Sequence, residues 1–234
     1  MLKNPIFVAL DLDDMDQVRQ IVRDAAPHVG GFKVGPRLCL RHGPAMIGEL
    51  AKIKPVFIDN KYFDIPNTMT SAVTASFEAG GTFVTVHAQA GLEALSRLAE
   101  LEAKFNKERP FKILAVTILT SFTQSGLPSV SRATPIKEQV LQLADLTIAS
   151  GLSGLVCSAE EVALLRQKHP NSYLVVPGIR LPGQDKGDQN RVADPASALQ
   201  AGASALVVGR PIVDAADPAR AAQQFAQLAI AMRV

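Results

Sequence analysis

The chain has no tryptophan and only 5% aromatic residues, so it lacks the stacking platforms on which single-stranded nucleic acid is held. Neither sign of charge dominates. Lys and Arg number 24 against 22 Asp and Glu, and a net charge of +2 gives no field suited to a polyanion or an anionic membrane surface. Nucleic acid and membrane are therefore not expected as partners. The only cysteines are Cys39 and Cys157, and the second stands in the apolar run 154–157, where a small buried thiol is the ordinary occupant. Neither a disulfide nor a catalytic thiol is expected. No apolar run approaches the roughly 20 residues of a membrane span, and the first, 6–10, is far shorter than a signal-peptide core. A reducing cytoplasmic location is the expectation.

Several signature motifs are missing as well. Leu10-Asp11-Leu12-Asp13-Asp14 follows the first apolar run where a dinucleotide-binding sheet would carry G-x-G-x-x-G. No G-x-S-x-G elbow occurs, which removes the common hydrolase reading. The four histidines, His28, His42, His87 and His169, have no metal-ligand spacing, so no metal is expected; only His87 ends a strand.

What is present is a regular alternation. Short apolar runs rich in β-branched residues recur at 6–10, 32–34, 56–58, 82–86, 113–119, 154–157, 174–176 and 205–208, each short enough to be a fully buried strand. Between them lie helix-period segments, such as Met15, Val18, Val22 and Ala25, then Met69, Val73 and Phe77, and finally Ala221, Phe225, Leu228 and Met232. Pro66 opens one helix and Gly80-Gly81 closes it, while Gly202 ends another that begins near Asp194-Pro195. About eight strands alternating with helices predict a (β/α)8 TIM barrel in a single domain spanning 1–234. The open doubly wound sheet is the rival, weakened by its missing glycine fingerprint. Two loops are long, 121–128 and 177–192, and long loops in compact domains commonly bind or cover ligands.

In such a barrel the chemistry sits where strands end at their C-terminal side. Asp11 ends the first strand, Lys33 lies on the second, Asp59 and Lys61 on the third, and Thr120-Ser121 follow the fifth. Alternation places Asp59 and Lys61 on one side of their strand and Asn60 on the other. Consecutive strands are neighbours, so Asp11, Lys33, Asp59 and Lys61 should converge with alternating sign. Desolvating such charges costs more than stability alone repays, which favours a functional reason over a structural ion-pair cluster. A second group lies in the last two loops: Pro177-Gly178-Ile179-Arg180, with Gln189 further on, and Gly209-Arg210-Pro211. Loops after the seventh and eighth strands are the usual phosphate site of these barrels. Gly209 would let backbone N–H groups approach an anion that Arg210 and Arg180 could pair.

The run Asp59-Asn60-Lys61-Tyr62-Phe63-Asp64-Ile65-Pro66-Asn67-Thr68 closely resembles the signature of the orotidine 5'-phosphate decarboxylase family. Asp11 in Ala-Leu-Asp, Lys33 in Phe-Lys-Val-Gly, Leu119-Thr120-Ser121, Pro177-Gly178-Ile179-Arg180, Asp188-Gln189-x-Arg191 and Val208-Gly209-Arg210-Pro211-Ile212 follow in the family's order. The resemblance implies a cofactor-independent decarboxylation of orotidine 5'-phosphate to uridine 5'-phosphate by a homodimer with shared active sites. It also implies a catalytic network of Lys61, Asp59, Asp64 and Lys33, with Lys61 as proton donor and Asp64 reaching the neighbouring subunit's site. Asp11 is implied as a ribose contact, Thr120 and Ser121 as pyrimidine contacts, and Arg180, Gln189, Gly209 and Arg210 as the phosphate cradle. Ile65, Thr68 and Pro177 are implied as further substrate contacts, alongside Lys33 and Asp59. Asn60, Phe63 and Ala90 depart from the family's usual residues without removing a charged group. Magnesium-dependent sugar-phosphate lyases and aldolases of the same superfamily carry a related Asp-x-Lys-x-x-Asp, but no extra acidic ligand is evident here. A barrel that binds a phosphate ligand without catalysis is a third reading.

Overall fold

The computed structural model describes residues 4–181, 183 and 191–231. Eight strands pair in parallel and in sequence order, and the first closes on the last. They are β1 Ile6–Ala9, β2 Gly31–Val34, β3 Val56–Tyr62, β4 Phe83–His87, β5 Lys112–Val116, β6 Gly154–Val156, β7 Tyr173–Val176 and β8 Ala205–Val208. Every predicted strand is present and the sheet is a closed barrel, so the open-sheet alternative is set aside.

The helices around the sheet begin where the local chemistry starts them. Helix α1 (Met15–Ala25) is capped by Asp14, whose carboxylate accepts the N–H groups of Asp16 and Gln17. Pro36 opens α2 (Pro36–Ala51) and Pro66 opens α3 (Pro66–Glu78), positions where a missing N–H costs nothing. The remaining helices are α4 (Gly91–Phe105), α5 (Ile136–Ala149), α6 (Ala159–Lys168), α7 (Pro195–Gln200), α8 (Arg210–Val213) and α9 (Pro218–Ala231). Ser158 and Glu161 form a reciprocal capping box at the start of α6, and Asp194 caps α7.

Two details depart from the pattern expected of the sequence. The fifth strand ends at Val116 rather than 119, because its neighbour β6 is only three residues long and its last residue, Val156, already pairs with Val116. In α9 the buried face carries Ala222, Phe225, Ala226 and Ala229, while Leu228 is exposed. Phe225 is the shared position; Met232 lies outside the described residues.

Apolar residues form two layers. The larger lies between the sheet and the helices, and the smaller fills the barrel interior with Phe7, Phe57, Phe83, Leu114, Val175 and their neighbours. Phe7, Phe57 and Phe83 meet edge to face with centroids 5.2 to 6.2 Å apart. Gly31 makes room for this cluster: a Cβ there would stand 2.5 Å from the Phe7 ring. The aromatic plug is the floor on which the polar ends of the strands rest.

Candidate active site

Above the plug, at the C-terminal ends of the strands, opens a cavity of about 710 Å³, within the roughly 300–1,000 Å³ typical of small-molecule sites. Four charges stand on its wall in a chain of alternating sign. Lys33 Nζ lies 3.1 Å from Asp11 Oδ1 and 3.6 Å from Asp59 Oδ2, and Lys61 Nζ lies 2.9 Å from Asp59 Oδ1. Lys33 comes from β2 and Asp59 and Lys61 from β3, as predicted, whereas β1 ends at Ala9 and Asp11 follows it by two residues. Alternation continues upward from the core: Phe57, Asp59 and Lys61 project inward from β3, so the apolar plug and the charged pair belong to one face. Asn60 points the other way and donates to the Tyr62 hydroxyl at 2.9 Å.

Lys61 holds this position through an unusual backbone. Its φ of 48° is left-handed, the only positive φ of a non-glycine residue among the described residues, and the β3–β4 register shifts between Ile58 and Tyr62. Such a conformation costs on the order of 1–3 kcal/mol and persists only where surrounding contacts enforce it. One such contact is Thr85, on the neighbouring strand β4. Its Oγ1 accepts the Lys61 backbone N–H at 2.9 Å and donates to Asp59 Oδ1 at 2.9 Å. Thr85 belongs to none of the motifs that point to the site, yet the alternation Phe83, Thr85, His87 along β4 aims it at the interior, a signal that the sequence itself carries.

Electrostatics follow from this packing. Burial pushes the Asp59 carboxyl up, but Lys33, Lys61 and the hydrogen bonds from Lys61 and Thr85 outweigh it and hold the group below its ordinary value. Asp59 is thus an anion fixed between two cations. Burial, and then the charge of Lys61, lower His87, so its imidazole is neutral near pH 7. Cys157 lines the cavity, but burial raises its thiol far above the range of a reactive thiolate.

The same cavity is lined by the residues expected at a phosphate. Pro177, Gly178 and Arg180 after β7, and Gly209 and Arg210 after β8, line the same cavity, as do Thr120 and Ser121 after β5. Arg180 is buried, and Nη1 donates to the Ile179 carbonyl at 2.9 Å. Gln189 lies outside the described residues. Arg191 is buried against Glu161 and donates to the carbonyls of Ile118 and Leu119, tying the loop after β7 to the loop after β5. Asp64, Ile65 and Thr68 are not brought into this cavity. All three are exposed beyond the end of β3, and Asp64 Oδ1 accepts the Ile65 N–H at 2.7 Å. Among the described residues no cluster of three or more His, Cys, Asp and Glu has metal-binding geometry.

The profile of the family described as "Orotidine 5'-phosphate decarboxylase / HUMPS family" matches residues 4–225. The chain belongs to this family. It is 42% identical over 221 residues to the orotidine 5'-phosphate decarboxylase of Vibrio campbellii, covering 94% of each chain. It is also 42% identical over 224 residues to that of Anaeromyxobacter sp. strain K, covering 94% of this chain and 96% of the relative. The crystal structure of orotidine 5'-phosphate decarboxylase from Lactobacillus acidophilus superposes with a TM-score of 0.84 at 35% identity, over 97% of this chain and 99% of that one. Like the enzymes of the family branch it matches, the chain is a carboxy-lyase.

Proposed function

We propose that the chain decarboxylates orotidine 5'-phosphate to uridine 5'-phosphate in pyrimidine synthesis, without a cofactor, using Lys61 as the proton donor. The observation that carries this reading is the Lys33–Asp59–Lys61 row lining the same cavity as Arg180, Gly209 and Arg210. In the reaction the bond between the pyrimidine ring and its carboxylate breaks, carbon dioxide leaves, and the electron pair stays on the ring carbon. Lys61 stabilises that developing charge as a fixed cation, then transfers a proton to the same carbon and is reprotonated from solvent. Preorganisation is the essential feature: Asp59 keeps Lys61 aimed before the substrate arrives, so little reorganisation is left for the transition state. Lys33 completes the charged network and Asp11 addresses the ribose, while Thr120 and Ser121 address the pyrimidine. The phosphate, remote from the reacting bond, contributes binding energy that holds the ring against the charged row.

Asp64, Ile65 and Thr68 are assigned to the cavity of a second copy in a homodimer. Their exposure beyond β3, next to the exposed apolar side chain of Phe63, supports that assignment. We further propose a single domain acting in the cytoplasm; no helix among the described residues is long and apolar enough to cross a membrane.

The test is the loss of ultraviolet absorbance of orotidine 5'-phosphate for the wild type and Lys61→Ala. The variant should fold and bind uridine 5'-phosphate, but lose at least about 10³-fold in kcat. Near-normal turnover in the variant would remove Lys61 from the chemistry. Wild-type activity that disappears with a chelator and returns with magnesium would instead favour a metal-dependent lyase.

A further inference from the structure

Thr85 is a buried residue of β4, 1% exposed, whose hydroxyl is fully engaged between two groups of the charged row. It accepts from the main chain of Lys61 and donates to the side chain of Asp59, both at 2.9 Å. The same Asp59 oxygen, Oδ1, also receives Lys61 Nζ at 2.9 Å. The three groups close a ring: Lys61 backbone to Thr85, Thr85 to Asp59, Asp59 to Lys61 side chain. This ring spans the segment where the backbone takes its left-handed turn and the strand register shifts. No regular strand pairing serves the Lys61 N–H there, so the Thr85 hydroxyl stands in for a missing sheet acceptor.

We infer that Thr85 is a positioning residue for decarboxylation, fixing the backbone of Lys61 and the carboxylate of Asp59 so that the ammonium points into the cavity. The inference rests on the proposed role of Lys61 at the reacting carbon. Its physical content is that a hydroxyl, and not the bulk of the side chain, is required. Valine has nearly the same shape but neither donates nor accepts. Serine keeps both hydrogen bonds and loses only a methyl group. Misplacing a reacting group by about 1 Å can cost on the order of 10²-fold in rate even when the altered residue does not touch the substrate.

The pH dependence gives an independent readout. Asp59 is faced by Lys33 from β2, with Asp11 beyond it after β1, by Lys61 from its own strand and by Thr85 from β4, where neutral His87 lies beyond Lys61. Removing the Thr85 donor takes away one of the interactions that favour the Asp59 anion. The acid limb of kcat/KM should therefore move to higher pH in Thr85→Val, and return in Thr85→Ser.

The experiment compares wild type, Thr85→Val, Thr85→Ser and Lys61→Ala for kcat, KM, pH profile and uridine 5'-phosphate affinity. Thr85→Val should lose about 10- to 100-fold in kcat with KM and product affinity within about threefold of wild type. Thr85→Ser should stay within about threefold in every parameter; Thr85→Ala replaces Thr85→Val if the latter does not fold. A hydroxyl-free variant with wild-type kcat and acid limb would overturn the inference, as would a serine variant as impaired as the valine one. Equal losses in kcat and product affinity would mean a merely structural role and would also overturn it. Full activity in Lys61→Ala marks failure of the underlying functional reading instead.

Discussion

Lys61 joins three features that seldom meet in one residue: a left-handed backbone, a carboxylate partner and a place at a cavity wall. Strain of this kind survives only where neighbouring groups enforce it, and here the enforcing groups are themselves charged or hydroxylic. His87, two residues beyond Thr85, shows the cost of sitting beside such a cation. Its Nδ1 is buried without a hydrogen-bond partner among the described residues, and burial together with Lys61 holds the imidazole below its ordinary value of about 6.5. As pH falls, the unfolded chain therefore takes up the proton first. The contribution of neutral His87 to stability is complete above about 6.5 and is lost as pH falls through that value toward the folded one. Thermal melts at pH 7.5 and 5.5 should show a smaller acid-induced loss in His87→Gln than in wild type. An identical loss in both would assign the pH dependence to other groups.

At the scale of single elements, the barrel depends on strands that approach one another closely at glycine. Gly154, the first residue of three-residue β6, lies so near β5 that a Cβ would stand 2.3 Å from the Ile113 carbonyl oxygen. That neighbour is backbone within a paired strand and has no rotamer to yield. Gly154→Ala should cost about 2 kcal/mol or more, at the upper part of the overpacking range, measured by urea denaturation. Gly48 in α2 is the contrast. A Cβ there meets only the Ala79 carbonyl oxygen at 3.8 Å, an ordinary contact. Gly48→Ala should stabilise by about 0.5–1 kcal/mol through reduced freedom of the unfolded chain. If the two substitutions had equal effects, the described closeness of β5 and β6 would be wrong.

For the whole molecule, the proposed homodimer gives the outward placement of Asp64 a functional reason. Phe63 is 60% exposed and Ile65 66% exposed, flanking Asp64 at the end of the strand that carries Lys61. Large apolar side chains left open on both sides of a carboxylate mark a surface that a second copy would cover. Sedimentation should give twice the chain mass, and Ile65→Lys should lower it to that of a single chain while reducing activity. Mixing Asp64→Asn with Lys61→Ala subunits should restore part of the activity, because in the proposed homodimer one of the two sites regains both intact residues. Verified mixed dimers that remain inactive would count against shared sites.

The amino-acid sequence by itself determined the barrel and the membership of its charged row. Strand and helix periods are local properties, and an apolar run that ends in Asp-x-Lys is the same in the unfolded chain as in the folded one. Local patterns were less decisive at two points. The end of β5 depends on the length of its neighbour, and the buried face of α9 turns so that Leu228 faces outward and Ala222 and Ala229 inward. Only the tertiary structure decided which atoms meet across strands: Thr85 between Asp59 and Lys61, and Arg191 against Glu161 and the carbonyls after β5. Such pairings depend on register, stagger and a register shift at a left-handed residue. A period of two places a side chain on a face but does not say how far along the barrel axis its partner lies.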